Sequence, residues 1–191
     1  MALINVAARE IHCKLVYYGP GLSGKTTNLK YIYSTVPGQA RGDLLSIDTE
    51  TERTLFFDFL PLDLGRVHGY QVRFHIYTVP GQVLYERTRV AVLNGSDGVV
   101  FVGDSQRAKL AENVRSLQEL ARNLTQQGKR FLEFPLVMQY NKRDMPDVLP
   151  LQTLEKYLNS MHVPAFEAVA SKGVGVFDTL RTISKLVISK L

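Results

Sequence analysis

Gly19-Pro-Gly-Leu-Ser-Gly-Lys-Thr26 carries the spacing G-x-x-x-x-G-K-[ST] between an apolar run and a helix-forming one. Chemistry that needs this spacing is phosphate binding. Glycines at 19, 21 and 24 let the backbone curve tightly enough to aim its N–H groups at phosphate oxygens, and the helix that follows adds its N-terminal dipole. Leu22 and Ser23 complete the loop. Lys25 would reach the β- and γ-phosphates, the Thr26 hydroxyl would ligate Mg2+, and Thr27 extends the cradle into the first helical turn.

A second constellation, Asn141-Lys-Arg-Asp144, follows directly on the apolar run that ends at Tyr140. A carboxylate here can accept two hydrogen bonds from guanine N1–H and its exocyclic amine. Adenine offers no such donor pair and would leave the carboxylate unpaired. Asp144 is the expected base reader, Asn141 would brace the neighbouring loops, and the Lys142 stem would cover the ring face.

These motifs need elements that bring them to one place. Ile11 to Tyr18 reads as a buried strand entering the phosphate loop, and Lys25 to Tyr33 as the helix leaving it. Leu55 to Leu60 and Gln71 to Tyr77 read as a hairpin across a turn-rich segment containing Asp63, Gly65 and Gly69. Val99 to Val102 and Pro135 to Tyr140 have the short apolar character of strands buried on both faces. Leu110, Val114, Leu117, Ala121 and Leu124 form a helical stripe with Gly128 as its stop, and Phe177, Leu180, Ile183 and Val187 form another. The expected fold is α/β: one unit spanning 1–191, with a mixed, mainly parallel sheet and helices on both faces. Its ligand would lie at the carboxyl ends of the strands.

Composition excludes several classes. Hydrophobic residues make up 45% and charged residues 21%, as in ordinary globular proteins. The net charge of +5 suits a polyanionic ligand but is too mild to indicate nucleic acid. The single cysteine, Cys13, supports neither a disulfide framework nor a cysteine metal site, and no run approaches a membrane span. A cytoplasmic protein without membrane insertion is expected.

Chain length and motif order resemble the Ras-like small GTPases, a resemblance that implies a P-loop NTPase of the Ras-like G-domain fold with a six-stranded, mixed, mainly parallel sheet. The runs Val16-Tyr-Tyr-Gly-Pro-Gly, Glu52-Arg-Thr-Leu-Phe-Phe-Asp-Phe-Leu-Pro61 and Tyr77-Thr-Val-Pro-Gly-Gln82 resemble, more narrowly, the bacterial MglA proteins of gliding and twitching motility. That resemblance implies a polarity switch that binds GTP or GDP with Mg2+ and is recruited to a cell pole. It also implies a Roadblock-fold activator (MglB-like), an exchange factor and effectors, docking on 38–64 and 78–94.

Ras-like proteins carry D-x-x-G after the third strand, whereas this chain has Thr78-Val-Pro-Gly81, a replacement that MglA proteins share. Gly81 would sense the γ-phosphate. Thr54 takes the place of the family's first switch threonine, as a second hydroxyl for Mg2+, and Asp58 or Asp104 is available as an outer carboxylate. Gln82 is placed to orient the attacking water. Arg53 would act as an arginine finger carried in the same chain, or pair with Asp48, Glu50 or Glu52 as a surface ion pair. Aligned on Gly175, Ala170 offers its backbone N–H to the guanine carbonyl, and the serine and lysine of the usual S-A-K string fall out of register. The reading is a slow GTP hydrolase stimulated by an activator; the alternatives are a metabolic P-loop kinase and a nucleotide-binding scaffold with negligible hydrolysis.

Overall fold

A computed structural model describes residues 2–46, 57–80 and 85–191. The central strand, β2 (Glu10–Tyr18), is apolar on alternate residues as far as Leu15 and buried throughout from Leu15 to Tyr18, so it needs cover on both faces. It pairs in parallel with β5 (Tyr70–Thr78) on one side and β6 (Gly98–Asp104) on the other. Beyond β6 lie β7 (Leu136–Asn141) and β8 (Ala165–Glu167), also parallel. Beyond β5 lie the antiparallel β4 (Asp58–Val67) and β3 (Leu45–Ser46). A short β1 (Leu3–Asn5) pairs antiparallel with the start of β2.

The sheet therefore has eight strands among the described residues where six were expected. β1 and β3, three and two residues long, fall below the length at which alternation is readable. The hairpin is present, but its turn is smaller than expected. β4 runs on to Val67, its register slipping between Asp63 and Arg66 around Gly65, and only His68 and Gly69 turn, at φ 51° and 84°. Two successive left-handed residues make the tight loop that suits the strand twist.

α1 (Lys25–Thr35) and α5 (Val176–Ile188) cover one face, where Leu29, Ile32, Leu180 and Ile183 pack on Ile11, Cys13, Leu15 and Tyr17. α2 (Glu86–Leu93), α3 (Leu110–Gln126) and α4 (Leu151–Leu158) cover the other, where Leu93, Leu120, Leu124, Leu154 and Leu158 pack on Val16, Phe101 and Met138. Each such side chain removed from water contributes roughly 1.5–3 kcal/mol. Strand order is β3-β4-β5-β2-β6-β7-β8, so chain direction through the sheet reverses at β2. The crevice created there opens at the end of β2, where Gly19 begins. No described helix is long and apolar enough to cross a membrane.

Candidate nucleotide site

The phosphate loop joins β2 to α1 by a path that only glycine allows at two points. Gly19 has φ 147°, and a Cβ there would lie 2.2 Å from the Val102 carbonyl oxygen. Gly24, at φ 102°, caps α1, and a Cβ would lie 2.1 Å from Asn141 Nδ2. Leu22 is left-handed too, at φ 61°, with its side chain in solvent, so its part in the loop is its backbone. Ser23 Oγ is buried without a hydrogen-bond partner among the described residues. Gly21 and Thr27 take their expected places in the loop and the first turn of α1.

Lys25 is buried, and its Nζ donates to the carbonyls of Gly19 at 3.0 Å and Pro20 at 2.6 Å. Burial pushes its pKa down to about 7; the nearby Arg89 guanidinium acts in the same direction and Asp58 opposes it. Among the described residues the hydrogen-bond partners of Lys25 are thus two neutral carbonyls of the loop itself.

Thr26 donates its hydroxyl to Asp58 Oδ2 at 2.6 Å. The same carboxylate accepts from Thr78 Oγ1 at 2.8 Å and from Ser46 Oγ at 2.8 Å, while the Asp58 amide donates back to Thr78 Oγ1 at 2.9 Å. The position that lost its carboxylate therefore faces one carried by the adjacent strand, and Asp58 stands beside the phosphate loop. An all-oxygen donor set of this kind suits a hard cation such as Mg2+, which takes one or two protein oxygens and fills its remaining positions from phosphates and water. No cluster of three or more His, Cys, Asp or Glu occurs among the described residues, as such a site requires none.

Asp104 is not free for that role. It accepts from Lys142 Nζ at 2.6 Å and from the Gln106 amide at 3.0 Å, which ties β6 to the N-K-R-D segment. Lys142, at φ 63°, is held by this pair. Asn141 links the two halves of the site: its Nδ2 donates to the Ser23 carbonyl at 2.8 Å, and its Oδ1 accepts from the Ala170 amide at 2.9 Å. That second bond corrects the expected use of Ala170, whose N–H is spent on Asn141. The position of the lysine departs from the S-A-K register as well, because Lys172 reaches Asp144 Oδ2 at 3.1 Å and so stands beside the N-K-R-D segment.

One arrangement had no signal in the sequence. Arg89 on α2 is buried; its Nε donates to Glu119 Oε1 at 2.6 Å and its Nη1 to the Pro80 carbonyl at 3.3 Å, and Tyr18 OH also donates to Glu119, at 3.1 Å. α2 is thus pinned to α3 and to the end of β2. The sequence-based assignments of Arg53, Thr54, Gly81 and Gln82 lie outside the described residues.

A sheet of this order, with a phosphate loop at the end of β2 and N-K-R-D at the end of β7, defines a Ras-like P-loop G domain. No protein-family model matches the chain. Over 191 residues it is 53% identical to the mutual gliding-motility protein MglA of Myxococcus xanthus (strain DK1622), which covers 100% of this chain and 98% of that protein. The chain belongs to the MglA family of small Ras-like GTPases.

Proposed function

We propose that this chain, as one G domain over residues 1–191, binds GTP and GDP with Mg2+ and hydrolyses GTP as a two-state switch in cell polarity and gliding motility. The observation that carries the reading is the Asn141 bridge, which joins the phosphate loop at Ser23 to the turn at Ala170 across one rim. Asp144 would accept the guanine donor pair in place of Lys172. With the Ala170 amide engaged, the Ser171 N–H is the next donor available to the guanine carbonyl. Gln82 would orient the attacking water, and Arg53 would steady the charge on the transferred phosphoryl group. A Roadblock-fold activator like MglB, docking on 38–64 and 78–94, would set the rate, and partners would bring the protein to a cell pole.

Thr26 and, in the GTP state, Thr54 would hold Mg2+, which supplies neutralising charge to the β- and γ-phosphate oxygens. Asp58 would stand behind Thr26 and orient its hydroxyl, the part that an outer carboxylate plays around a bound metal. Asp58→Asn is accordingly expected to raise the Mg2+ concentration needed to retain GDP by about 10–100-fold. Adding Thr78→Asp, which returns a carboxylate from the opposite strand, should recover most of the loss. A magnesium titration of fluorescent GDP release reads both, and an unchanged midpoint in Asp58→Asn would remove Asp58 from the metal site.

The function is tested by competing GTP, GDP and ATP against a fluorescent guanine nucleotide, followed by single-turnover hydrolysis of bound GTP. Displacement by GTP and GDP but not ATP, with phosphate released on turnover, is the expected result. Equal competition by ATP would sink the guanine assignment, a phosphorylated small molecule would point to a kinase, and binding without turnover would leave only a scaffold.

A further inference from the structure

Gln139 lies two residues before Asn141 on β7, so both side chains leave the same face of the strand. It interrupts an apolar run, Leu136-Val-Met-Gln-Tyr140, and is fully buried, as are Asn28 on α1 and Thr179 on α5. Nothing about packing calls for three polar side chains at this depth. Their hydrogen bonds give the reason.

Asn28 and Gln139 exchange amide bonds: Asn28 Nδ2 donates to Gln139 Oε1 at 2.8 Å, and Gln139 Nε2 donates to Asn28 Oδ1 at 3.0 Å. The other hydrogens lead outward in opposite directions. Asn28 Nδ2 donates to the Gly24 carbonyl at 2.9 Å, in the phosphate loop. Gln139 Nε2 donates to Thr179 Oγ1 at 3.0 Å, and Thr179 Oγ1 donates to the Gly175 carbonyl at 2.6 Å, where the turn after Ala170 enters α5. Every side-chain hydrogen and acceptor of the two amides is used. A fully satisfied buried network adds little net stability over apolar residues of the same shape, but it holds its members in one arrangement.

We propose that Asn28, Gln139 and Thr179 form a second bridge beneath Asn141, which fixes the phosphate loop and the 170–175 turn at the separation a guanine nucleotide spans. The two bridges leave one strand from positions 139 and 141 and join the same two loops, one in the core and one at the rim. All three residues are buried away from the rim and act as positioning residues through the loops they hold. This inference rests on the guanine-nucleotide reading above.

The test compares wild type, Asn28→Leu/Gln139→Leu and Thr179→Val for the release rate of fluorescent GDP in Mg2+, the melting temperature, and single-turnover hydrolysis of preloaded GTP. Leu120→Ala, in the core under α3 on the other face, serves as a control for destabilisation alone. The apolar double variant should melt close to wild type yet release GDP on the order of tenfold faster, from the lost side-chain bonds, with hydrolysis of bound GTP within about threefold. GDP release at the wild-type rate in the double variant overturns the bridge. So does acceleration no greater than Leu120→Ala gives at an equal loss of melting temperature. Should the double variant not fold, Thr179→Val decides, and unchanged release in it overturns the proposal. Wild-type protein that fails to bind fluorescent GDP at all would instead bring down the underlying reading, and the bridge with it.

Discussion

Lys25→Met protein should melt above wild type in the absence of nucleotide and bind GDP about a thousandfold more weakly. Both effects have one origin. Lys25 is buried with two carbonyls as its hydrogen-bond partners among the described residues, and its pKa is pushed down to about 7 by burial, with the Arg89 charge nearby acting the same way. Methionine keeps the length of the stem and removes a charge that the empty loop does not match, a change worth roughly 1–3 kcal/mol in favour of the fold. With nucleotide bound the balance reverses. An ammonium facing polyphosphate in a water-poor loop forms charge-assisted bonds, and truncating one partner of such a pair costs about 2–5 kcal/mol. Saturating GDP, at about a hundred times its dissociation constant, should add roughly 2.7 kcal/mol to wild type and little to the variant, so the two melting curves change order. Thermal unfolding with and without GDP measures this. A variant less stable than wild type without nucleotide, or one binding GDP within tenfold of it, would contradict the role assigned to Lys25.

The same physics explains what the sequence could disclose. Phosphate binding by backbone amides requires glycine at fixed intervals within one loop, so the site from Gly19 to Thr26 is local and legible, and Asn141-Lys-Arg-Asp144 follows a strand that its own apolar run announces. Asp58 is different. Its place beside Thr26 depends on the β4–β5 register, which pairs Phe59 with Tyr77 and so sets Asp58 against Thr78. The replacement at Thr78 and the two candidate carboxylates, Asp58 and Asp104, were visible along the chain, whereas the pairing that sets Asp58 beside Thr26 and Thr78 is a tertiary fact.

Gln139 left a trace, a lone amide in an apolar run, but its partners stand 111 and 40 residues away and nothing local names them. Ala170 shows the opposite difficulty. The turn that carries it was recognisable, yet a shift of one position decides which N–H is free, and that is fixed by the Asn141 side chain reaching across from β7. The fold was legible where periodicity runs long, in α3, α5 and the central strands. It was not legible in β1 and β3, whose pairing is supplied by longer neighbours. The extension of β4 past Leu60 was hidden too, because glycine at 65 marks a slip in register within a continuing strand, as glycines in strands often do.

Asp144→Ala should cost GDP binding about a hundredfold to a thousandfold, while Lys172→Ala changes it by less than about fivefold. The two residues touch each other at 3.1 Å, yet their environments differ: the Lys172 side chain is 65% exposed and that of Asp144 35%. An ion pair with one partner so exposed is worth about 0–1 kcal/mol, so the lysine holds the carboxylate loosely and would yield it to a better donor pair. Guanine offers that pair in fixed geometry, and each hydrogen bond to a charged acceptor contributes about 1.5–3 kcal/mol. Alanine removes both without creating a preference for adenine, so ATP should remain a poor competitor and discrimination should fall through loss of GDP. Competition titrations on the two single variants separate the readings. Equal losses in both would mean that the Asp144–Lys172 pair orders the rim structurally, and an unchanged GDP affinity in Asp144→Ala would mean that the base is read elsewhere. A large loss confined to Asp144 would place specificity on a carboxylate three residues beyond Asn141, whose side chain joins the phosphate loop at Ser23 to the turn at Ala170.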